Sequence, residues 1–213
     1  MRVALAAILL LCCQATAALA APCCGPITLA GEQLVHFLDD SDVTHLWLAG
    51  WHVDWRTGAK DRDEPGGPEA KTHCSAYAAA MAERLKIYML RPPEHRQGLL
   101  ASAQMRWLRD HGPEHGWRAI GSDADAQAAA NRGELVMAVY ENPDPHRPGH
   151  IAIVRPSGKT QAALDREGPQ ETQAGETNAI STTVAAGFRH HRGAWMAGGG
   201  GTLRYYEHAV NWP

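Results

Sequence analysis

An alanine-rich stretch that begins with a cysteine places the strongest constraint on what this chain can fold into. Thr72 to Leu85 follows a charged, glycine- and proline-rich segment, residues 58–71, and no helix breaker occurs before Pro92. The stretch therefore predicts a helix that begins at or near Cys74. Unpaired N–H groups and the positive end of the helix dipole at such a position favour a thiolate over a thiol.

Helical spacing from Cys74 places small and apolar side chains on one face of this predicted helix: Tyr77, Ala78, Met81, Ala82 and Leu85. Such a face can bury the helix against a sheet while the sulfur lies at its edge. A lone cysteine is more often a small buried thiol than a nucleophile. A catalytic interpretation therefore requires a partner elsewhere in the chain.

The first twenty residues have the pattern of a secretory signal peptide. Arg2 precedes an apolar run, residues 3–11, and Ala18-Leu19-Ala20 supplies a cleavage site. We therefore predict a signal peptide over residues 1–20, export to the periplasm or the medium, and one domain over residues 21–213.

Two classes of partner are disfavoured by composition. The formal net charge is −3 at pH 7, whereas nucleic-acid binding normally requires a basic face. After the leader, no stretch approaches the roughly 20 apolar residues of a membrane span. We therefore expect neither nucleic acid nor a membrane span. Nothing in the sequence indicates an oligomeric state or a cofactor.

The cysteines leave a structural alternative open. Cys23 and Cys24 are adjacent near the expected new N-terminus, and Cys74 stands alone. Oxidising compartments tend to pair structural thiols, so Cys74 can be paired with Cys23 or Cys24 instead of being reactive.

The order of predicted elements indicates the fold class. Helices are expected early and strands later, which predicts an α+β domain whose N-terminal helices pack on a small antiparallel sheet. Residues 43–55 are expected to be buried, as strand or helix. The other predicted helices are residues 34–38, 95–111, 122–130 and 180–186, and the strands are residues 134–140, 150–154, 169–174 and 203–207.

A nucleophilic cysteine needs a base that takes its proton and returns it to the leaving amine, and histidine on a rigid strand is the usual base. Among the twelve histidines, His150 is best placed, because it opens a predicted strand directly after Gly149. A solvated histidine at a strand end is the ordinary interpretation of any single histidine.

Three motifs in order carry a resemblance to a known group of enzymes. They are Cys74 at the start of an alanine-rich helix, the run Gly133-Glu134-Leu135-Val136, and the run Gly149-His150-Ile151-Ala152-Ile153-Val154. Over roughly residues 74–173 the chain resembles the papain-like cell-wall cysteine hydrolases, the CHAP and NlpC-type amidases and peptidases. The resemblance implies a papain-like fold and hydrolysis of amide bonds in peptidoglycan or another peptide substrate.

The resemblance also implies a polar residue on the next strand that orients the histidine. Gln173 and Glu171 both qualify by residue type, and Asn178 is a more distant candidate. We select Gln173, because Ala174 and Gly175 beside it would let the imidazole ring approach. The predicted catalytic residues are therefore Cys74, His150 and Gln173.

Two alternatives come from other classes of protein. One is a catalytically silent binding protein that keeps the papain-like fold and holds a ligand in its cleft. The other is a metal site built on Cys74 with His73, His150 or the His190-His191 pair. His45, His52 and Asp54 have a spacing that matches no zinc pattern and are expected to belong to the buried region around them.

Overall fold

The computed structural model describes residues 21–67 and 71–213. The signal peptide expected over residues 1–20 lies outside these described residues. Within the described ranges, no helix has the length and hydropathy that crossing a bilayer would need.

The described part of the chain combines helices with antiparallel sheets. The helices are α1 (Leu29–Asp39), α2 (Cys74–Arg84), α3 (Leu100–Asp110), α4 (Asp123–Asn131), α5 (Gln161–Glu167) and α6 (Val184–Gly187), with a 3₁₀ turn at Gly112–His115. The strands are β1 (Trp51–Val53), β2 (Lys60–Pro65), β3 (Arg118–Ile120), β4 (Leu135–Tyr140), β5 (His150–Val154), β6 (Gln170–Gln173), β7 (Ala179–Thr183) and β8 (Arg204–His208).

The main sheet has six strands in the order β3-β8-β4-β5-β6-β7, and β1 and β2 form a separate antiparallel hairpin. All five neighbouring pairs in the main sheet are antiparallel, and Tyr140 pairs with His150 at one end of the central β4–β5 pair. Every residue of β4 and β5 is buried, as expected for continuous apolar strands covered on both faces. The α+β class and the antiparallel sheet are therefore confirmed.

The alanine-rich helix α2 is covered by other elements over most of its length. It packs against β5 and β6 and also against α3. All nine residues from Cys74 to Ala82 are buried, whereas the sequence predicted one buried face. The difference arises because α3 covers the other side, where the Gln104 side chain donates to the Ser75 carbonyl. A helix covered on all sides needs small or apolar side chains all round, which the alanines provide.

Several predicted elements have different limits or types in the structure. Helix α2 ends at Arg84, well before Pro92, because Lys86 adopts a left-handed backbone with φ of 62°. Helix α3 begins at Leu100, not at residue 95, after Leu99 takes a similar conformation. Such backbone angles are incompatible with helix continuation.

The helix predicted over residues 180–186 forms only from Val184 onward, and its first part is wrong. Residues 179–183 form strand β7, in which Thr182 and Thr183 pair with Glu171 and Gln170 of β6. β-Branched side chains fit a pleated sheet better than a helix. The short helix α6 then begins, and the Thr183 hydroxyl accepts a hydrogen bond from the Ala186 N–H as its N-cap.

Candidate active site

Cys74 is the first residue of α2, as predicted, and it lies below the surface with 4% of its area exposed. The backbone N–H groups of Ile151, Ser75 and Cys74 itself, and the hydroxyl of Thr72, are near enough to the sulfur to lower the pKa of its thiol. Ile151 directly follows His150 on β5, so the packing of α2 on β5 brings the sulfur to the strand that carries the candidate base.

The protonation state of Cys74 differs from the sequence expectation. Burial raises the pKa of the Cys74 thiol, and the four surrounding donors lower it without reversing that direction. Desolvation of a thiolate inside the protein therefore outweighs the helix start. The sulfur is therefore held as a neutral thiol. The expectation that the helix start makes Cys74 a thiolate is wrong.

His150 occupies the first position of β5, and a glycine before it is required by packing. A side chain at Gly149 would collide with the Tyr140 carbonyl and the Ser102 hydroxyl. The close approach of these backbones holds the start of β5 against β4. His150 is consequently buried on a rigid strand.

Gln173 contacts His150 directly. The distance between His150 Nε2 and Gln173 Oε1 is 2.7 Å, and Gln173 Nε2 donates to the Thr177 carbonyl at 3.0 Å. The second bond turns the amide oxygen toward the ring, and an amide oxygen accepts only. His150 Nε2 therefore carries the proton, and Nδ1 carries the lone pair that a general base needs.

Two aromatic rings enclose the His150 imidazole. Phe188 meets it edge to face with ring centroids 4.7 Å apart, and His191 stacks on it at 5.3 Å with an interplanar angle of 11°. Burial, together with the nearby charge of His191, lowers the pKa of His150 to about 4, and the hydrogen bond to Gln173 opposes this shift. His150 is therefore neutral and able to accept a proton near neutral pH.

The sulfur and the imidazole line adjoining cavities. Cys74 lines a cavity of about 300 Å³, and His150 lines one of about 180 Å³. Both cavities are also lined by Thr72, Pro148 and Gly149, so these three residues join the two sides of the site. Among the described contacts no hydrogen bond joins the sulfur to the ring. Catalytic hydrogen bonds are often long before substrate binds.

The other two candidates for the orienting residue have different environments. Asn178 accepts from the Gly175 N–H and donates to the carbonyls of Val43 and Leu46, so it ties two loops together. Glu171 is fully buried, and neither carboxyl oxygen has a hydrogen-bond partner. Of the three candidates, Gln173 is the one whose side chain is hydrogen-bonded to His150.

His73, which directly precedes Cys74, does not cap α2 with its side chain. Its ring Nε2 lies 2.8 Å from the Trp51 carbonyl, and its Nδ1 lies 3.3 Å from Gln97 Oε1. His73 therefore connects the start of α2 to the β1–β2 hairpin and to the loop before α3.

The described residues test two alternatives: a disulfide between Cys74 and Cys23 or Cys24, and a metal site that includes Cys74. Cys23 and Cys24 form a disulfide with each other, and Cys74 is a free thiol. No group of three or more histidine, cysteine, aspartate or glutamate side chains in residues 21–67 and 71–213 could hold a metal ion. The pairing of Cys74 with Cys23 or Cys24 is thus wrong, and the metal-site alternative has no support there.

The sequence did not identify Phe188 and His191 as neighbours of His150. Both residues lie just after α6, in a segment for which the sequence predicted no element that would bring it to His150. The His190-His191 pair was the only available signal, and it pointed to metal ligation instead.

Glu171 gives a test of the buried electrostatics next to Gln173. Burial raises the pKa of Glu171 well above its usual value near 4.5. The folded protein therefore keeps a proton that the unfolded chain loses, and the free energy of unfolding falls as the pH rises above about 4.5. Glu171→Gln, which imitates the protonated acid, should be more stable than the wild type at pH 7 but nearly equal to it at pH 4.

Urea unfolding at the two pH values measures this difference, which should grow by up to about 1.4 kcal/mol per pH unit over the interval between the two pKa values. Glu114→Gln, at an exposed position in the 3₁₀ turn, is the matched control and should show no such trend. An equal stability difference at both pH values for Glu171→Gln would contradict a buried, protonated carboxyl.

Comparison of the chain with models of known protein families found no match, and comparison with curated proteins also found none. The chemistry of this site is therefore inferred from its geometry and from the sequence motifs.

Proposed function

We propose that this protein is an exported thiol hydrolase of papain-like architecture that cleaves an amide bond by acyl transfer. Cys74 is the nucleophile, His150 is the general base and acid, and Gln173 orients His150. One arrangement carries the proposal: Gln173 holds the Nε2 side of the His150 ring, and α2, which begins at Cys74, packs against β5, which begins at His150.

The first half of the reaction forms a thioester. His150 Nδ1 takes the thiol proton as the Cys74 sulfur attacks the amide carbonyl carbon, which gives a tetrahedral intermediate with a negative oxygen. The backbone N–H of Cys74, at the start of α2, is available to stabilise that oxygen. His150 then gives its proton to the leaving nitrogen, and the amine departs.

The second half regenerates the enzyme. His150 Nδ1 takes a proton from a water molecule as the water oxygen attacks the thioester carbonyl. Collapse of this second intermediate breaks the carbon–sulfur bond, releases the carboxylic acid and returns the proton to the Cys74 sulfur. The Gln173 bond keeps Nδ1, not Nε2, as the atom that exchanges protons throughout.

A neutral starting pair is compatible with this chemistry. Burial disfavours charge on both Cys74 and His150, so the thiolate–imidazolium pair forms as the sulfur attacks. Once formed, the two opposite charges attract strongly, because water is largely excluded from the site. A base with a pKa of about 4 also remains deprotonated across the range in which an exported enzyme works.

The proposed substrate is an amide bond in peptidoglycan or another peptide. It is supported by the signal-peptide pattern of residues 1–20, which implies a periplasmic or secreted enzyme, and by the order of the cysteine helix and the Gly-His strand. The papain-like architecture is supported by a cysteine-initiated helix that packs on an antiparallel sheet. The binding-protein alternative predicts the same cleft without turnover.

Substitution of the nucleophile tests the reaction. Cys74→Ala and Cys74→Ser should reduce release of fragments from purified peptidoglycan by about 1,000-fold or more, because neither side chain can form the thioester. Released fragments are measured by mass spectrometry, and thermal unfolding checks that the fold persists.

The matched cysteine control is Cys23→Ser/Cys24→Ser. It removes a cross-link between adjacent residues, which constrains little of the unfolded chain, and should leave hydrolysis intact. Turnover at the wild-type rate by Cys74→Ala would refute the role of Cys74. Absence of turnover by the wild type on peptidoglycan and peptide amides would favour the binding-protein alternative.

Substitution of the orienting residue tests the role of Gln173 through pH. Gln173→Glu places a carboxylate against the imidazole, which should raise the pKa of His150 from about 4 by roughly 1–3 units. Activity requires neutral His150, so the acidic limb of the kcat/KM profile should move to higher pH by that amount.

Gln170→Glu is the matched control on the same strand. The Gln170 side chain donates to the Ser181 hydroxyl, away from the ring, and this variant should leave the acidic limb in place. An unshifted limb in Gln173→Glu would mean that Gln173 does not govern the protonation of the catalytic histidine.

A further inference from the structure

A third cavity adjoins the one that Cys74 lines. It has a volume of about 670 Å³, within the range of ligand-binding clefts. Arg96, Gly98 and Leu99 line both this cavity and the Cys74 cavity. A substrate whose amide lies at Cys74 can therefore extend along the loop before α3 into the third cavity.

The lining of this third cavity is positively charged, whereas the chain as a whole is negatively charged. The lining includes four arginines and one carboxylate, Glu141. The arginines are Arg96, Arg106, Arg109 and Arg204. The chain carries a formal net charge of −3, so this concentration of positive charge does not follow from composition. We call it the arginine cavity.

Two of these arginines, Arg109 of α3 and Arg204 of β8, line the cavity together with Tyr206. Arg204 and Tyr206 lie on the same face of β8, because alternate residues of a strand share a face. Guanidinium groups gathered in a cleft are a favourable arrangement for an anion.

The existing partners of these two arginines leave both side chains accessible to a ligand. Arg204 is exposed and donates to the carbonyls of Gly201 and Leu203, which carry no formal charge. Arg109 donates two hydrogen bonds to the carboxylate of its neighbour Asp110. About half of each of these two side chains is exposed, 55% for Arg109 and 51% for Asp110, so a ligand can still reach the guanidinium group. Arg106 differs, because it pairs with Glu141 across the cavity wall.

We propose that the arginine cavity is a substrate subsite that binds the side-chain carboxylates of an acidic peptide, with Arg109 and Arg204 as the specificity-determining residues. The assignment of the peptide as a substrate rests on the proposed hydrolytic function; the recognition of its carboxylates does not. Guanidinium groups present forked N–H donors that match the two oxygens of a carboxylate. Such charge-assisted bonds are stronger than bonds between neutral groups.

Binding is tested on the full-length Cys74→Ala protein, so that turnover does not interfere. The probes are the peptides acetyl-Ala-Glu-Glu-amide and acetyl-Ala-Gln-Gln-amide, which differ in charge but hardly in shape. Isothermal titration calorimetry should show about 10-fold or more tighter binding of the glutamate peptide, and rising salt should weaken that peptide alone.

The arginines are then removed in the same background. Arg109→Gln/Arg204→Gln should reduce the affinity for the glutamate peptide to that for the glutamine peptide. Arg166→Gln, at an exposed position on α5 outside the cavity, should leave both affinities unchanged. Arg106 is kept, because its loss would leave Glu141 without its partner.

If the double variant fails to fold, the effect of salt on binding of the two peptides by the Cys74→Ala protein still tests the proposal. Equal affinities for the two peptides, or a glutamate preference that survives loss of both arginines, would overturn the proposal. Inorganic phosphate is the competing anion: arginine-dependent binding of phosphate without binding of the glutamate peptide would also overturn it. Discrimination between the peptides without hydrolysis by the wild type would refute the proposed hydrolysis and leave the subsite standing.

Discussion

The close packing of α2 against β5 is the interaction on which the candidate site depends. Alanine side chains let the helix and strand backbones approach, so the nine residues from Cys74 to Ala82 are all buried. This approach brings the Cys74 sulfur to the N–H of Ile151, one residue beyond His150. Larger side chains on α2 would separate the two elements and move the sulfur away from the strand.

Burial also determines the protonation states of Cys74 and His150 in the site and of Glu171 beside it. It raises the pKa of Cys74 and Glu171 and lowers that of His150, so each of these groups is held neutral. Gln173 suits this environment, because an amide orients the imidazole without placing a permanent charge beside it. Gly187 completes the enclosure: a side chain there would collide with the Glu171 carboxyl and the Gln173 amide.

Elements with strong local signals could be predicted from the sequence. The apolar runs that became β4 and β5 were located to within a residue. The helix predicted from residue 122 begins there, where the Ser122 hydroxyl accepts from the Asp125 N–H as the N-cap of α4. These features depend on hydrophobic pattern and on residues close in the chain. The contact between Gln173 and His150 was expected from the resemblance, which implied a polar residue on the next strand, and from the small neighbours of Gln173.

Elements that form through contacts between distant parts of the chain could not be predicted from the sequence. Strand β2 is charged and exposed along its whole length, so it has no hydrophobic pattern, and it forms by pairing with β1. Helix α5 was not expected within the segment after β5. The arginine cavity combines residues from α3, the β4–β5 loop and β8, and no local pattern brings these segments together.

The coupling of Cys74 to His150 is the central claim, and the pH dependence of Cys74 alkylation tests it most directly. The rate of reaction with iodoacetamide is followed at the Cys74 peptide by mass spectrometry, in the wild type and in His150→Ala. Because His150 has a pKa of about 4 and accepts the thiol proton, the wild-type rate should rise near that pH to a plateau across neutral pH. His150→Ala should lose the plateau and react only at alkaline pH, where a buried thiol ionises unaided. Identical profiles for the two proteins would contradict the account, because they would show that His150 does not act on the Cys74 sulfur.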